Sequence, residues 1–156
     1  MAKQSAGLIM FRIRERELEI FLVHPGGPFW AKKDPGAWSI PKGEYTDAED
    51  ALEVARREFY EETGFEATGE FRELTAIRQA GGKRVRAWVF QGDCDPDALK
   101  SNTFSMEWPP GSGRQAQFPE VDRGGWFSVE VAREKILRSQ IALIDELCEV
   151  VGQQGA

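Results

Sequence analysis

Apolar residues fall in short runs separated by charged or Gly-Pro turns, and twice along the chain they recur at helical spacing instead. Leu8, Ile9, Met10, Phe11 and Ile13 predict a strand over residues 6–13, residues 18–23 a second, and the charged turn 14–17 joins them as a hairpin. Residues 66–79 alternate loosely through Phe71, Leu74 and Ile77, as a strand or a bent pair of strands. Gly81-Gly82 then turns the chain into residues 84–91, whose Val85, Ala87, Val89 and Phe90 predict the next strand, paired antiparallel across that turn. Strand character returns at 119–121 and 125–129. Ser128 is placed to cap a short helix from Val129, and Ile141, Ile144, Leu147 and Val151 predict an amphipathic helix over 139–151 packed on the sheet, with a frayed tail at 152–156. Residues 95–118, rich in Pro, Gly and Ser and containing Trp108-Pro109-Pro110-Gly111, read as a loop long enough to be functional or mobile.

The stretch 43–65, GEYTDAEDALEVARREFYEETGF, organises the rest. Thr46 with Glu49 three residues on is a capping-box signal for a helix start, and Gly64 supplies a left-handed stop. At about 100° per residue, Glu58, Glu61 and Glu62 share one face, while Leu52, Ala55 and Phe59 form the neighbouring apolar stripe. Carboxylates this close repel one another unless a cation joins them, and a divalent metal is the natural guest. A Glu-Glu pair alone is ordinarily just a solvated helix face.

Composition bounds the reading. With 156 residues, 41% apolar and 29% charged, the chain fits one domain, 1–156, with a core of its own. There is no apolar run of membrane-spanning length and no signal-peptide pattern, so a cytoplasmic protein without membrane attachment is expected. Cys94 and Cys148 stand far apart with no metal-ligand spacing and read as idle thiols. A net charge of −6 argues against binding long nucleic acid, but not against a small phosphorylated substrate, because bound divalent metal reverses the local sign of an acidic pocket.

Upstream of the acidic helix, residues 26–35 form a Gly-Pro loop carrying Phe29 and Trp30 beside Lys32 and Lys33, groups that together stack on a base and meet phosphate. Trp30 capping the core edge is the competing reading. Trp38 leads an extended segment into Lys42, which is placed to touch phosphate and whose backbone carbonyl can face a metal. Trp38 and Trp30 flank the basic loop, and either is placed to hold an adenine ring, with Trp38 as a core residue behind the acidic stretch as the alternative. His24, the one histidine, ends a strand before Pro25 and is better read as structural than catalytic.

The spacing of 43–65 is G-x5-E-x7-R-E-U-x-E-E-x-G-U, with U apolar, and every specified position matches the signature of the Nudix hydrolases, which the chain resembles. Seven fixed letters recur by chance roughly once in 10⁸ starting points. The resemblance implies an α/β/α sandwich, a mixed β-sheet between helices, and hydrolysis of a nucleoside diphosphate linked to another moiety with Mg²⁺, or Mn²⁺ as substitute. It implies Glu58, Glu61 and Glu62 as metal ligands and Arg57 as a residue that holds a glutamate in position by a salt bridge, with Glu49 bracing the loop. Glu120, in PEVDRGGWF, is implied as completing the metal shell or acting as base, with Glu107 a weaker rival. Which glutamate is the base stays open, since carboxylates sharing a metal titrate together. Trp38 to Gly43 also resembles the approach to the motif in the branch acting on diadenosine polyphosphates. The expected function is therefore a metal-dependent pyrophosphohydrolase of a small nucleotide, foremost a dinucleoside polyphosphate such as diadenosine tetraphosphate. The alternatives are hydrolysis of damaged nucleoside triphosphates or of ADP-ribose and nucleotide sugars, and, in another class, a non-catalytic nucleotide-sensing module.

Overall fold

A reversal at Glu15 and Arg16, both with positive φ (53° and 69°), folds β1 (Gln4–Arg14) back on β2 (Glu17–Pro25), with Arg14 opposite Glu17. Two consecutive left-handed residues give the turn the twist that matches paired strands, here without glycine. The computed structural model describes residues 3–154. Within it, β1 is the hub of a mixed sheet. It pairs antiparallel with β2 from Phe11 onward and with β3 (Lys42–Tyr45) from Gln4 to Gly7, and parallel with β6 (Arg84–Gln91) from Gln4 to Phe11. β9 (Val121–Ser128) extends the sheet beyond β2, and the short β4 (Arg72–Glu73) and β5 (Ile77–Arg78) pair antiparallel with β6.

The side-chain period of two sorts the central strands between two cores. Ala6, Leu8 and Met10 of β1, Phe21 and Val23 of β2, and Trp88 and Phe90 of β6 face α1 (Ala51–Thr63), which buries Val54, Ala55 and Phe59 against them. The alternate residues Ile9, Phe11, Ile20, Leu22, Ala87 and Val89 face α2 (Val129–Lys135) and α3 (Ile141–Gln154) through Ala132, Leu143, Ile144 and Leu147. This is the expected α/β/α sandwich. Phe59 is fully buried, its ring centre 5.4 Å from that of Phe90 in an edge-to-face pair, so α1 is held by a well-packed anchor and its orientation is fixed.

The helix begins later than the Thr46 box implies. Asp50 is the N-cap, its side chain accepting from Glu53 N at 3.0 Å, while Thr46 and Glu49 close a separate turn with Thr46 N donating to Glu49 Oε1 at 2.9 Å. The stop is as expected: Gly64 is left-handed (φ 80°) and donates to the Tyr60 carbonyl at 2.7 Å. Ser128 caps α2 through Val131 N. The long segment 95–118 is not a structureless loop. It holds a hairpin, β7 (Thr103–Glu107) and β8 (Gln115–Pro119), in which Phe104, Met106, Ala116 and Phe118 alternate with exposed residues. Helix α3 runs on to Gln154, beyond the expected start of a frayed tail; Gly155 and Ala156 of that tail lie outside the described residues. Among the described residues no helix is long and apolar enough to cross a membrane.

Candidate active site

β2 and β3 share one edge of β1 and part company between Leu8 and Phe11. The segment 38–41 bridges the gap: Leu8 N donates to the Pro41 carbonyl at 3.2 Å, and Val23 and Ser39 exchange hydrogen bonds at 2.9 Å. Buried Gln140 fastens the same segment from below, its Oε1 accepting from Ile40 N at 3.1 Å and its Nε2 donating to Ser39 Oγ at 3.0 Å. A cavity of about 300 Å³ opens above it, lined by Val23, Pro25, Trp30, Ser39, Ile40, Lys42, Glu62, Glu120, Val121 and Leu137.

The acidic face of α1 forms one side of this region. Glu58 lies against Gly43, where a Cβ would stand 2.2 Å from its carboxyl carbon; only a glycine leaves room for that side chain. Burial, then the charge of Glu61, raises the Glu58 pKa. Glu62 is pushed up to about 8 by burial first and by the charges of Glu58 and Glu120 next. Glu120, between β8 and β9, is raised by burial and by Glu61. On Lys42 the effect is opposite in sign, burial and then the charge of Lys83 lowering its pKa while Glu62 and Glu44 act to raise it. Arg57 lies outside the cavity and collects three carboxylates, standing 3.7 Å from Glu49, 3.6 Å from Glu58 and 3.8 Å from Glu61. Among the described residues no three His, Cys, Asp or Glu side chains stand close enough together to hold a metal ion as they lie.

The structure does not gather every residue expected here. Trp38 is a core residue, 5% exposed, its Nε1 donating to Asp34 at 2.8 Å and its ring packed edge-on against Phe127 at 4.9 Å and His24 at 5.3 Å. It has no face to offer an adenine. Lys32 and Lys33 are exposed and line none of the cavity; Lys33 Nζ instead sits 4.9 Å from the centre of the Trp30 ring. Glu107 is at the tip of the β7–β8 hairpin, accepting from Gly111 N. His24 is fully buried, its ring nitrogens 2.9 Å from Asp122 and 2.6 Å from the Lys33 carbonyl, and ties the loop down. Gln140, Ile40 and Leu137 escaped the sequence reading because each acts across about 100 residues of chain or from a short connecting turn. Gln140 ends the short turn 138–140 that leads into α3, and no local pattern marks it.

The family model of the NUDIX domain matches residues 1–147. The chain belongs to the NUDIX domain family. A curated relative, the RNA pyrophosphohydrolase of Rhizobium meliloti (strain 1021), is 31% identical over 107 residues; the match spans 59% of this chain and 59% of that protein. Among solved structures, the NUDIX domain of Shewanella oneidensis NrtR complexed with ADP ribose superimposes with a TM-score of 0.68 at 16% identity, covering 97% of this chain and 89% of that one. The C. elegans Ap4A hydrolase in a binary complex gives 0.67 at 19% identity, with 97% and 99% covered. These two likenesses show the NUDIX fold, a mixed sheet between helices.

Proposed function

We propose that the cleft hydrolyses a phosphoanhydride bond in a nucleoside polyphosphate, foremost a dinucleoside polyphosphate such as diadenosine tetraphosphate, yielding ATP and AMP. The observation that carries this is the convergence of Glu62, Glu120 and Lys42 on a cavity edged by the partly exposed ring of Trp30, with the charge of Glu58 acting on Glu62 from beside it. The donor chemistry suits a divalent cation, which would have to draw the carboxylates together, since among the described residues no three of them already stand around one point. Glu58, Glu61, Glu62 and Glu120 act on one another electrostatically, burial has raised three of them, and Arg57 beside Glu58 and Lys42 beside Glu62 offset this only in part. An all-oxygen set suits Mg²⁺, with Mn²⁺ as substitute; Glu58, Glu61, Glu62, Glu120 and the Lys42 carbonyl are the groups to hold it. When bound, the ion neutralises phosphate charge and polarises the bond to be broken.

The chain's own residues do the rest. Arg57 orients Glu58 and Glu61 from outside. One of the cleft carboxylates takes the proton as water adds to phosphorus and the anhydride oxygen leaves with its electron pair. The Lys42 ammonium meets phosphate oxygens, and Trp30 offers a face to a base, a contact of about 1 to 3 kcal/mol. Lys32 and Lys33 lie beyond the cavity rim, where a longer polyphosphate or a second nucleoside reaches them.

A second reading is removal of pyrophosphate from the 5′ end of a short RNA, favoured by the relative of that name. Kinetics with Mg²⁺ on diadenosine tetraphosphate, a 5′-triphosphorylated oligoribonucleotide, ADP-ribose, ATP and 8-oxo-dGTP separate the readings. The dinucleotide is expected to show the highest kcat/KM. A preference for the RNA installs the second reading, and binding without turnover of any of them points to a sensing module.

A further inference from the structure

Trp30 is the one residue of loop 26–35 that lines the cavity, yet the loop's own hydrogen bonds do little to place it. Its amide donates to the Gly27 carbonyl at 3.4 Å, and Lys33 N donates to its carbonyl at 2.9 Å, which closes a turn without orienting the ring. Within the loop Lys33 Nζ lies over the Trp30 ring, and the loop as a whole sits on the β7–β8 hairpin. Gly26 N donates to the Glu120 carbonyl at 2.9 Å, and the backbones approach so closely there that a Cβ on Gly26 would stand 1.9 Å from the Pro119 oxygen. A Cβ on Gly27 would touch the Phe104 ring at 3.0 Å. Phe29, 60% exposed, meets Trp108 edge to face with ring centres 5.7 Å apart at 85°. The hairpin is in turn rooted on the end of α1, where Asn102 N donates to the Glu61 carbonyl at 2.8 Å and Lys100 N to the Thr63 carbonyl at 2.9 Å. One element therefore joins the helix of carboxylates to the loop of Trp30.

We propose that Trp108 is a positioning residue: through Phe29 it holds the loop so that the Trp30 ring stands over the cleft, and it thereby sets how tightly the nucleotide's base is held. This rests on the hydrolase reading above. Trp108 does not line the cavity and acts only through the loop. An edge-to-face pair of this kind shifts a conformational equilibrium by about two- to tenfold, and the same factor passes into apparent affinity when only the ordered loop binds.

The test is kinetics with Mg²⁺ on whichever nucleotide of the panel the wild type turns over best, for Trp108→Ala, Trp108→Phe, Phe29→Ala, Trp30→Ala and the Trp30→Ala/Trp108→Ala pair. Trp108→Ala is expected to raise KM about three- to tenfold with kcat within about twofold, and Trp108→Phe to restore KM. Phe29→Ala breaks the same contact from an exposed position and is expected to reproduce the rise even if Trp108→Ala disturbs the hairpin. In the Trp30→Ala background, Trp108→Ala is expected to add nothing. An unchanged KM in Phe29→Ala and Trp108→Ala, or effects that multiply with that of Trp30→Ala, overturns the positioning role while the hydrolase reading stands. A wild type that turns over none of the panel overturns both.

Discussion

Gly43 and Glu58 are fitted to each other: the glutamate side chain occupies the place a Cβ would take on the glycine, with its carboxyl carbon 2.2 Å from that point. The motif's first glycine and its helical glutamate, fifteen positions apart in the chain, therefore form one packing unit. Gly43 does not have a positive φ, so its role is space and not backbone freedom.

Gly43→Ala is accordingly expected to push Glu58 out of the site while β3 and α1 stay paired with their neighbours. Hydrolysis should fall by about a hundredfold or more, with the midpoint of thermal unfolding lowered by only a few degrees, about 1 kcal/mol. Activity and melting measured on the same preparation check it; equal losses in both, or unchanged activity, contradict the fit described.

The two tryptophans once equivalent as base platforms now separate. Trp38→Ala removes a core ring and its hydrogen bond to Asp34, and about 3 to 5 kcal/mol of stability should go with it. Trp30→Ala should leave denaturant stability within about 0.5 kcal/mol and raise KM about five- to a hundredfold. Urea titration beside steady-state kinetics distinguishes them, and the reverse pattern would restore Trp38 as the platform.

The helix and its carboxylate face were legible in the sequence because they are local: i, i+3, i+4 spacing and a terminal glycine need no tertiary information. The two-core sandwich was partly so, since alternation along β1, β2 and β6 gives strands but not which of them run parallel. The helix start was misplaced because Thr46-Glu49 and Asp50-Glu53 both satisfy the same four-residue cap pattern, and only the second is continued by the helix. The β7–β8 hairpin was hidden by the Pro-Gly tip at 109–113, which outweighed a weak alternation on either side. For Trp38 the sequence leaves base platform and core residue both open, since the choice depends on Phe127 and His24 meeting it from β9 and β2.

Cys94 gives a pH-dependent prediction away from the site. Burial, and next the charge of Asp93, pushes its thiol up to about 12 from an ordinary 9.0. The thiolate is the reactive form, so at pH 8 alkylation of Cys94 should run about a thousandfold slower than that of an exposed thiol and rise about tenfold per pH unit to pH 10 without a plateau. The raised folded-state value also means that ionisation favours the unfolded chain, so this residue's contribution is intact below pH 9 and is lost as pH rises from about 9 toward 12. Mass spectrometry of iodoacetamide-treated protein reads the rate; a plateau near pH 9 contradicts the buried environment.

The most direct measurement is Mg²⁺-dependent hydrolysis by Glu62→Gln beside the wild type, with melting followed in EDTA and in Mg²⁺. Gln keeps the shape of the side chain and removes a charge that burial already penalises, so the metal-free variant should melt no lower than the wild type. Turnover should drop on the order of a thousandfold at saturating Mg²⁺, and the rise in melting temperature that Mg²⁺ gives the wild type should largely disappear. Wild-type turnover and an unchanged Mg²⁺ shift in Glu62→Gln would contradict the assignment of the acidic face of α1 as the metal-binding, hydrolytic centre.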